Sequence, residues 1–194
     1  DGTIFRSSLL IELTESLIAE KIFPPKTKDI YIKSYKKWIE RKGSYEEYIN
    51  DVVDAFKINI KGVKEGDFNR VAKSVIESNH SIIYRYTRDL VKALKKKNYY
   101  LLAISRSPQE IVKKFTKTLG FDKTYGFIYE VENGKLTGKS LYEDKISDKS
   151  KILKHVIKKE GLSLQGSIGV GDSEGDINFL GVVANPICFN PNKK

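Results

Sequence analysis

The stretch Gly169-Val-Gly-Asp-Ser-Glu-Gly-Asp176 follows the short apolar segment Ser167-Ile168 and precedes a second apolar run. Apolar residues that lead into a glycine-rich acidic turn are typical of a buried strand with carboxylates at its C-terminal end. Asp172 and Asp176 are four residues apart, so a helical turn after Asp172 would let both face one spot. Two such oxygen ligands suit Mg²⁺. An acidic turn is equally often a solvated loop or a helix cap, so this stretch alone does not decide the function.

A second strand that ends beside a helix is predicted in the middle of the chain. Residues 99–105 form a short continuous apolar run, as expected for a strand buried on both faces. Residues 107–110 then combine an N-cap at Ser107, a proline and a glutamate, which predicts the start of a helix. Ser105 and Arg106 are therefore expected at a strand end facing a helix N-terminus, where free N–H groups favour an anion.

The remaining segments predict an α/β fold with a helical insertion. Residues 7 to about 80 carry apolar residues at helical spacing, without the alternation of strands. From residue 99, strands and helices alternate, with a hairpin signal at Asn133-Gly134 and a helix that opens at Lys149. This order predicts a doubly wound, mostly parallel, Rossmann-like sheet, whose ligands lie beyond the carboxyl ends of its strands.

Composition limits the partners that we expect. The 194 residues carry a net charge of +10, which raises nucleic acid or an anionic membrane as partners. The excess is nearly all lysine and is dense only at Lys95-Lys96-Lys97, so we expect a solvated surface rather than a nucleic-acid site. There is no apolar run of membrane-spanning length and no signal peptide, and the single Cys188 fits a reducing compartment. We therefore expect a cytoplasmic protein without a membrane partner.

The candidate residues suit phosphoryl transfer. That reaction needs charge neutralised on the phosphate oxygens, an in-line nucleophile and a proton for the leaving oxygen. Taken singly, Ser105 is as well explained as a strand end, Lys149 as a surface lysine, and Arg106 as either a substrate contact or a solvated side chain. Taken together, the residues cover these needs. Asp172 and Asp176 are candidates for metal binding, and Lys149 for charge balance. Ser105 and Arg106 are candidates for phosphate binding, and Asp1 for acid/base catalysis.

The order and spacing of four segments resemble the four motifs of the haloacid dehalogenase (HAD) superfamily of phosphohydrolases. The segments are Asp1-Gly-Thr, Ser105, Lys149 and the Asp172/Asp176 pair. The likeness is strongest to its phosphoserine-phosphatase-like subgroup, subfamily IB. It implies a Mg²⁺-dependent phosphatase that forms an aspartyl-phosphate and acts on a small phosphorylated metabolite. Asp1 would be the acid/base, and its main-chain oxygen a metal ligand.

The resemblance also implies a domain organisation. Residues 1–6 and 84–194 would form the HAD-like core, and residues 7–83 a small helical cap inserted after the first strand. The nucleophilic aspartate and its central strand would lie before Asp1, so we expect an N-terminally truncated chain, consistent with the absence of methionine.

Three residues depart from the pattern of phosphoserine phosphatases. Those enzymes grip the amino acid with a glutamate and an arginine of the cap, where spacing gives Ser8 and about Asn50 here. Gly175 replaces an amide residue of their fourth motif. We therefore expect another phosphatase of the subgroup.

Three alternatives stay open at this point. They are a catalytically inactive binding protein of the same fold, a phosphotransferase, and, least favoured, a basic nucleic-acid-binding domain. The physiological substrate and the oligomeric state are not predicted.

Overall fold

The computed structural model of the chain describes residues 1–191, with only the backbone of residues 144 and 145. The predicted core range runs to residue 194, so its last three residues lie outside this description. Short 3-10 helices cover Pro25–Thr27 and Glu174–Asp176. The helices are α1 (Leu9–Ala19), α2 (Lys28–Ile39), α3 (Tyr45–Asn59), α4 (Glu65–Asn79), α5 (Arg85–Lys96), α6 (Gln109–Thr118), α7 (Glu143–Ile146), α8 (Lys149–Glu160) and α9 (Ile177–Leu180). The strands are β1 (Leu102–Pro108), β2 (Lys123–Glu132), β3 (Lys135–Leu141), β4 (Ile168–Gly171) and β5 (Asn185–Cys188).

Helices α1, α3 and α4 follow the predicted apolar spacing, whereas α2 buries only Tyr31 and Ser34. Helix α1 buries Leu9, Leu13 and Leu17 on one face, because residues four apart lie above one another on a helix. Helix α3 begins after Ser44, whose hydroxyl caps it by accepting a hydrogen bond from the N–H of Glu47 at 3.0 Å. Among residues 1–191, no helix is long and apolar enough to cross a membrane.

The strands form two separate sheets. In one, β1 pairs in parallel with β2, and β2 forms an antiparallel hairpin with β3. The hairpin turn is the predicted Asn133-Gly134, with φ of 50° and 71°, as a two-residue turn requires. The other sheet is the parallel pair β4 and β5. The α/β class is confirmed, and the observed pairing is mixed, with β1 and β4 left unpaired to each other within residues 1–191.

The predicted N-cap of α6 at Ser107 is wrong. Ser107 was predicted to cap α6, but β1 continues through Pro108 and α6 begins at Gln109 without a side-chain cap. The Ser107 hydroxyl instead donates to the carboxylate of Asp1 at 2.6 Å. The acceptor is charged, so this hydrogen bond is a strong one.

A single buried cluster crosses the predicted boundary between cap and core. It joins apolar residues of α1, α3 and α4 to Ile111, Val112 and Phe115 of α6. Phe5, which is fully buried, packs edge to face on Phe115 with ring centroids 5.4 Å apart. The division into cap and core stays a prediction, and any movement of α1 or α4 away from α6 would expose this cluster.

Candidate active site

The acidic turn after β4 is folded around the carboxylate of Asp176. One of its oxygens, Oδ2, accepts hydrogen bonds from the N–H groups of Asp172 and Ser173, each at 3.0 Å, and from the Ser173 hydroxyl at 2.9 Å. Asp176 is only 2% exposed. Gly171 permits this approach, since a Cβ there would lie 2.5 Å from the Asp176 Cβ. The turn is therefore a built structure and not a solvated loop.

Lys149 supplies the counter-charge for Asp176. It is the first residue of α8, which Asp148 caps by accepting the N–H of Ser150 at 2.9 Å, and its Nζ donates to Asp176 Oδ1. Burial alone would raise the pKa of Asp176, but the Lys149 ammonium and the Ser173 donors together lower it. Asp176 therefore stays ionised although it is almost fully buried.

The N-terminal turn lies directly against Asp172. The Thr3 hydroxyl donates to Asp172 Oδ1, and Oδ2 lies so close to Gly2 that an added Cβ would be 2.0 Å away. Gly2 has φ of 65°, a conformation that glycine adopts without strain. Burial raises the pKa of Asp172, partly opposed by the Thr3 hydrogen bond. This half-buried carboxylate would therefore be stabilised by a cation.

Asp1 joins the end of β1 to the start of α1. Its Oδ1 accepts the N–H of Leu9, in the first turn of α1, at 2.5 Å. Its Oδ2 accepts the hydroxyls of Ser105 at 2.8 Å and Ser107 at 2.6 Å. The positive end of the α1 dipole adds to these donors. Asp1 is thus held between two elements by three hydrogen bonds.

Arg106 lies at the exposed rim of the same region. Its Nη2 donates to the main-chain oxygen of Ser147 at 3.3 Å. A Cβ on Gly175 would lie 3.2 Å from that nitrogen, so Arg106 passes close beside the acidic turn. A guanidinium there adds positive charge near the mouth of the site.

All six predicted site residues line one cavity of about 1720 Å³. It extends between β1 and β4 and under α2 and α3. We call the part lined by Asp1, Ser105, Lys149, Asp172 and Asp176 the acidic end. Ser8 and Asn50, which hold the positions of the missing glutamate and arginine, also line the cavity.

Several site residues were missed by the sequence reasoning. Thr3 stood in a quoted motif without a role, and Ser107 was assigned to a helix cap. Four aromatic side chains of α2 and α3 also line the cavity, although their helical spacing is that of ordinary core residues. They are Tyr35, Trp38, Tyr45 and Tyr48, which we call the aromatic wall.

At the acidic end, Asp172 is better placed than Asp176 to bind a cation. The half-buried Asp172 carboxylate accepts one hydroxyl and has a raised pKa, whereas the oxygens of Asp176 are engaged by Lys149, Ser173 and the turn. Among the described side chains, no three or more His, Cys, Asp and Glu residues are grouped to hold a metal. Mg²⁺ binds through one or two carboxylates with water and phosphate, so the residues present fit Mg²⁺.

Comparison with known proteins gives a consistent result. A family model for haloacid dehalogenase-like hydrolases matches residues 1–181. The phosphoserine phosphatase of Archaeoglobus fulgidus is 30% identical over 106 residues, covering 53% of this chain and 30% of the relative. The phosphoserine phosphatase of Methanocaldococcus jannaschii is 31% identical over 102 residues, covering 52% of this chain and 48% of the relative. The chain thus spans less than half the length of these two relatives.

Solved structures give the same fold. A phospho-aspartyl intermediate analogue of a phosphoserine phosphatase superposes with a TM-score of 0.63 at 23% identity, covering 98% of this chain and 83% of the other. A substrate-bound phosphoserine phosphatase complex superposes with a TM-score of 0.62 at 22% identity, again covering 98% of this chain and 83% of the other.

Proposed function

The chain belongs to the haloacid dehalogenase-like hydrolase family, and from this membership we propose that it carries the active site of a Mg²⁺-dependent phosphatase. The substrate would be a small phosphomonoester. The observation that carries the proposal is the convergence of Asp1, Ser105, Lys149 and Asp172 on one cavity, from four separate segments of the chain.

The phosphate would lie at the acidic end. The Lys149 ammonium and the Ser105 hydroxyl are the donors that we assign to its oxygens, with Arg106 adding positive charge at the rim. Lys149 is held by Asp176, so its ammonium is oriented before the substrate arrives. We therefore assign to Asp176 mainly the positioning of Lys149 and of the turn that presents Asp172.

Asp172 and the main-chain oxygen of Asp1 are the groups that would hold Mg²⁺. The bound ion would neutralise charge on the transferred phosphoryl group. Thr3 would hold Asp172 in place through its hydroxyl, and Gly2 leaves the space that this carboxylate occupies.

We assign acid/base catalysis to Asp1. The group would give a proton to the leaving oxygen and later accept one from water. Its donors Leu9, Ser105 and Ser107 fix its position, and a fixed acceptor loses less entropy in the reaction than a mobile one.

The nucleophile completes the proposal. We place an aspartate two residues before Asp1, on a strand that would enter the gap between the unpaired β1 and β4 and form an aspartyl-phosphate. Residues 7–83 would act as the cap and exclude water from the intermediate.

Hydrolysis of a generic aryl phosphate tests the proposal. We would compare the chain with and without its native upstream residues, each with and without Mg²⁺. We expect Mg²⁺-dependent phosphate release only with the upstream residues, reduced at least about 100-fold by Asp172→Asn. Asp89→Asn, at an exposed ion pair with Arg88, is the matched control.

Turnover that persists in the Asp172→Asn protein or without Mg²⁺ would contradict the proposal. Mg²⁺-dependent phosphate binding without turnover in either form would favour the inactive binding protein. Transfer of the phosphoryl group to an added alcohol in preference to water would identify a phosphotransferase.

A further inference from the structure

Ser8 carries a buried hydroxyl that has no hydrogen-bond partner within the described chain. It stands at the N-cap of α1, where a serine hydroxyl ordinarily accepts an N–H of the first helical turn. The Ser8 hydroxyl makes no such bond, nor any other with the residues that the structure describes. The residue is only 4% exposed and lines the cavity. A partner from outside the chain would therefore reach this hydroxyl through the cavity.

Asp1 takes the capping role that Ser8 leaves. Its Oδ1 accepts the N–H of Leu9, the first residue of α1, at 2.5 Å. A negative charge at a helix N-terminus also interacts favourably with the helix dipole. Helix α3 shows the ordinary arrangement, in which the hydroxyl of Ser44 itself accepts the N–H of Glu47 at 3.0 Å. Because Asp1 caps α1, the Ser8 hydroxyl is available to a ligand.

Ser8 lies close to the group that we assign to acid/base catalysis. Leu9 follows Ser8 directly, so bond lengths keep the Ser8 oxygen within about 5 Å of the Leu9 nitrogen. That nitrogen lies 2.5 Å from Asp1 Oδ1, and Asp1 would give the proton to the leaving oxygen. With hydrogen bonds of about 2.8 Å at both ends, one small leaving group can contact Asp1 and Ser8 together. The atom that meets Ser8 would therefore belong to the leaving group, close to the ester oxygen.

Opposite charges flank this position. The Glu12 carboxylate accepts the Ser7 hydroxyl at 2.8 Å, which brings it to the N-terminus of α1, beside Ser8. Arg6 precedes Ser7, lines the cavity and makes no ion pair with the described residues, and its guanidinium lies 5.8 Å from the centre of the Tyr84 ring. An ammonium or a carboxylate on the leaving group would be attracted by one of these charges and repelled by the other. A hydroxyl has no such conflict, and it can donate to a carboxylate while it bonds to Ser8.

We propose that Ser8 is a specificity-determining residue, whose hydroxyl binds a neutral hydroxyl of the leaving group, on the carbon next to the ester carbon. The substrate is then the phosphate ester of a small diol or polyol. This inference rests on the proposed phosphatase function and assigns its leaving group. A buried hydroxyl without a partner has lost its hydrogen bonds to water, and a ligand hydroxyl restores one where a methyl group cannot.

Four phosphate esters of nearly equal size test the inference. They are 2-hydroxyethyl phosphate, propyl phosphate, 2-aminoethyl phosphate and phosphoglycolate, which place a hydroxyl, a methyl, an ammonium or a carboxylate oxygen at the same position. Phosphate release would be measured with Mg²⁺ for the chain with its native upstream residues, beside the generic aryl phosphate. We expect kcat/KM for 2-hydroxyethyl phosphate to exceed that of each of the other three esters at least about 5-fold. This comparison does not depend on any variant folding.

The variant Ser8→Ala locates the effect. It should lower kcat/KM for 2-hydroxyethyl phosphate about 5-fold and leave propyl phosphate within about 2-fold, because only the first ester uses the Ser8 hydroxyl. Ser16→Ala, on the same helix and away from the cavity lining, is the control and should change neither value. An equal loss for both esters in Ser8→Ala would contradict a contact with the leaving-group hydroxyl.

Thermal unfolding separates this role from helix capping. The Ser8 hydroxyl makes no cap bond, so Ser8→Ala should change the Tm by less than about 1 °C. Ser44→Ala removes a cap that is formed, and should lower the Tm by about 3 °C. A loss of Tm in Ser8→Ala as large as that in Ser44→Ala would make Ser8 a structural residue and overturn the inference.

Equal use of the four esters, or a preference for the methyl, ammonium or carboxylate ester, would overturn this inference and leave the proposed phosphatase intact. Hydrolysis of the generic aryl phosphate with none of the four esters would have the same meaning. If neither the aryl phosphate nor any of the four esters is hydrolysed with Mg²⁺, the proposed function itself is overturned, and this inference with it.

Discussion

The two ends of the cavity are built on different physical principles. At the acidic end, short polar side chains near the ends of strands bond to one another, as Asp1 does to Ser105 and Ser107 of β1. At the aromatic wall, rings on helix faces pack with few hydrogen bonds, and the Tyr45 hydroxyl bonds to no residue of the described chain. The comparison indicates that hydrogen bonds hold the acidic end together, whereas ring packing holds the aromatic wall together.

The largest effect should come from breaking the buried ion pair at the acidic end. Lys149→Met leaves the nearly buried Asp176 carboxylate without its counter-ion, which should lower the free energy of unfolding by about 3 kcal/mol. Lys151→Met removes an exposed partner of Asp148 on the same helix and should cost less than about 0.5 kcal/mol. Urea unfolding of both variants gives the comparison, and equal losses would contradict it.

The same pair predicts a pH dependence. Lys149 and Ser173 hold the pKa of Asp176 below its ordinary 3.8 despite burial, so the stability it contributes is present above that pH. This stability is lost as the pH falls through the lowered pKa of Asp176 in the folded state. The difference between the unaltered chain and Lys149→Met should therefore narrow below about pH 4 in urea unfolding. A constant difference there would assign the loss to packing.

A smaller effect is expected where the N-terminal turn touches Asp172. Gly2 and Gly62 have φ of 65° and 84°, so alanine should cost about 1 kcal/mol of backbone strain at either position. A Cβ at Gly62 meets nothing within 4 Å, whereas one at Gly2 would displace Asp172. We expect Gly2→Ala to cost about 2 kcal/mol in urea unfolding and to abolish stabilisation by Mg²⁺. Equal behaviour of the two variants would refute the contact.

Removing the charge of Asp172 should stabilise the fold while it removes the metal. Burial raises the pKa of Asp172, so the ionised group opposes folding above its ordinary 3.8. Asp172→Asn, which still accepts the Thr3 hydroxyl, should melt at a higher temperature than the unaltered chain at pH 7 without Mg²⁺. Added Mg²⁺ should raise the melting temperature of the unaltered chain alone. A rise in the melting temperature of the variant with Mg²⁺ would show that the metal binds at another site.

The smallest effect is expected at the aromatic wall. Tyr45→Phe removes a hydroxyl without a hydrogen-bond partner among residues 1–191 and should change the free energy of unfolding by less than about 0.5 kcal/mol. Ser107→Ala removes a buried hydroxyl that donates to Asp1, and should cost about 1 kcal/mol. Denaturant unfolding distinguishes the two, and a larger cost for Tyr45→Phe would reverse the comparison.

The acidic end was largely predictable because its residues follow strands at fixed spacings. The turn at Asp172, the helix opened by Lys149 and the hairpin at Asn133-Gly134 all lie where the sequence predicts them. Local rules suffice for such features, because the turn and cap residues act within a few positions of themselves.

The partners of these residues were not predictable from local patterns. The hydrogen bond from Ser107 to Asp1 spans 106 residues, whereas the helix cap predicted for Ser107 is a local pattern. Trp38 and Tyr48 have the spacing of core residues, and only the placement of α2 and α3 brings their rings to the cavity. Long-range contacts of this kind depend on the whole fold.

Crystals of the chain with its upstream residues, soaked with Mg²⁺ and tungstate, test the central claim most directly, because tungstate replaces phosphate and scatters anomalously. The account predicts one tungstate at the acidic end, within hydrogen-bonding distance of Ser105 Oγ and Lys149 Nζ, with Mg²⁺ on Asp172. Tungstate bound only at surface lysines such as Lys95-Lys96-Lys97, with Mg²⁺ absent from Asp172, would contradict it.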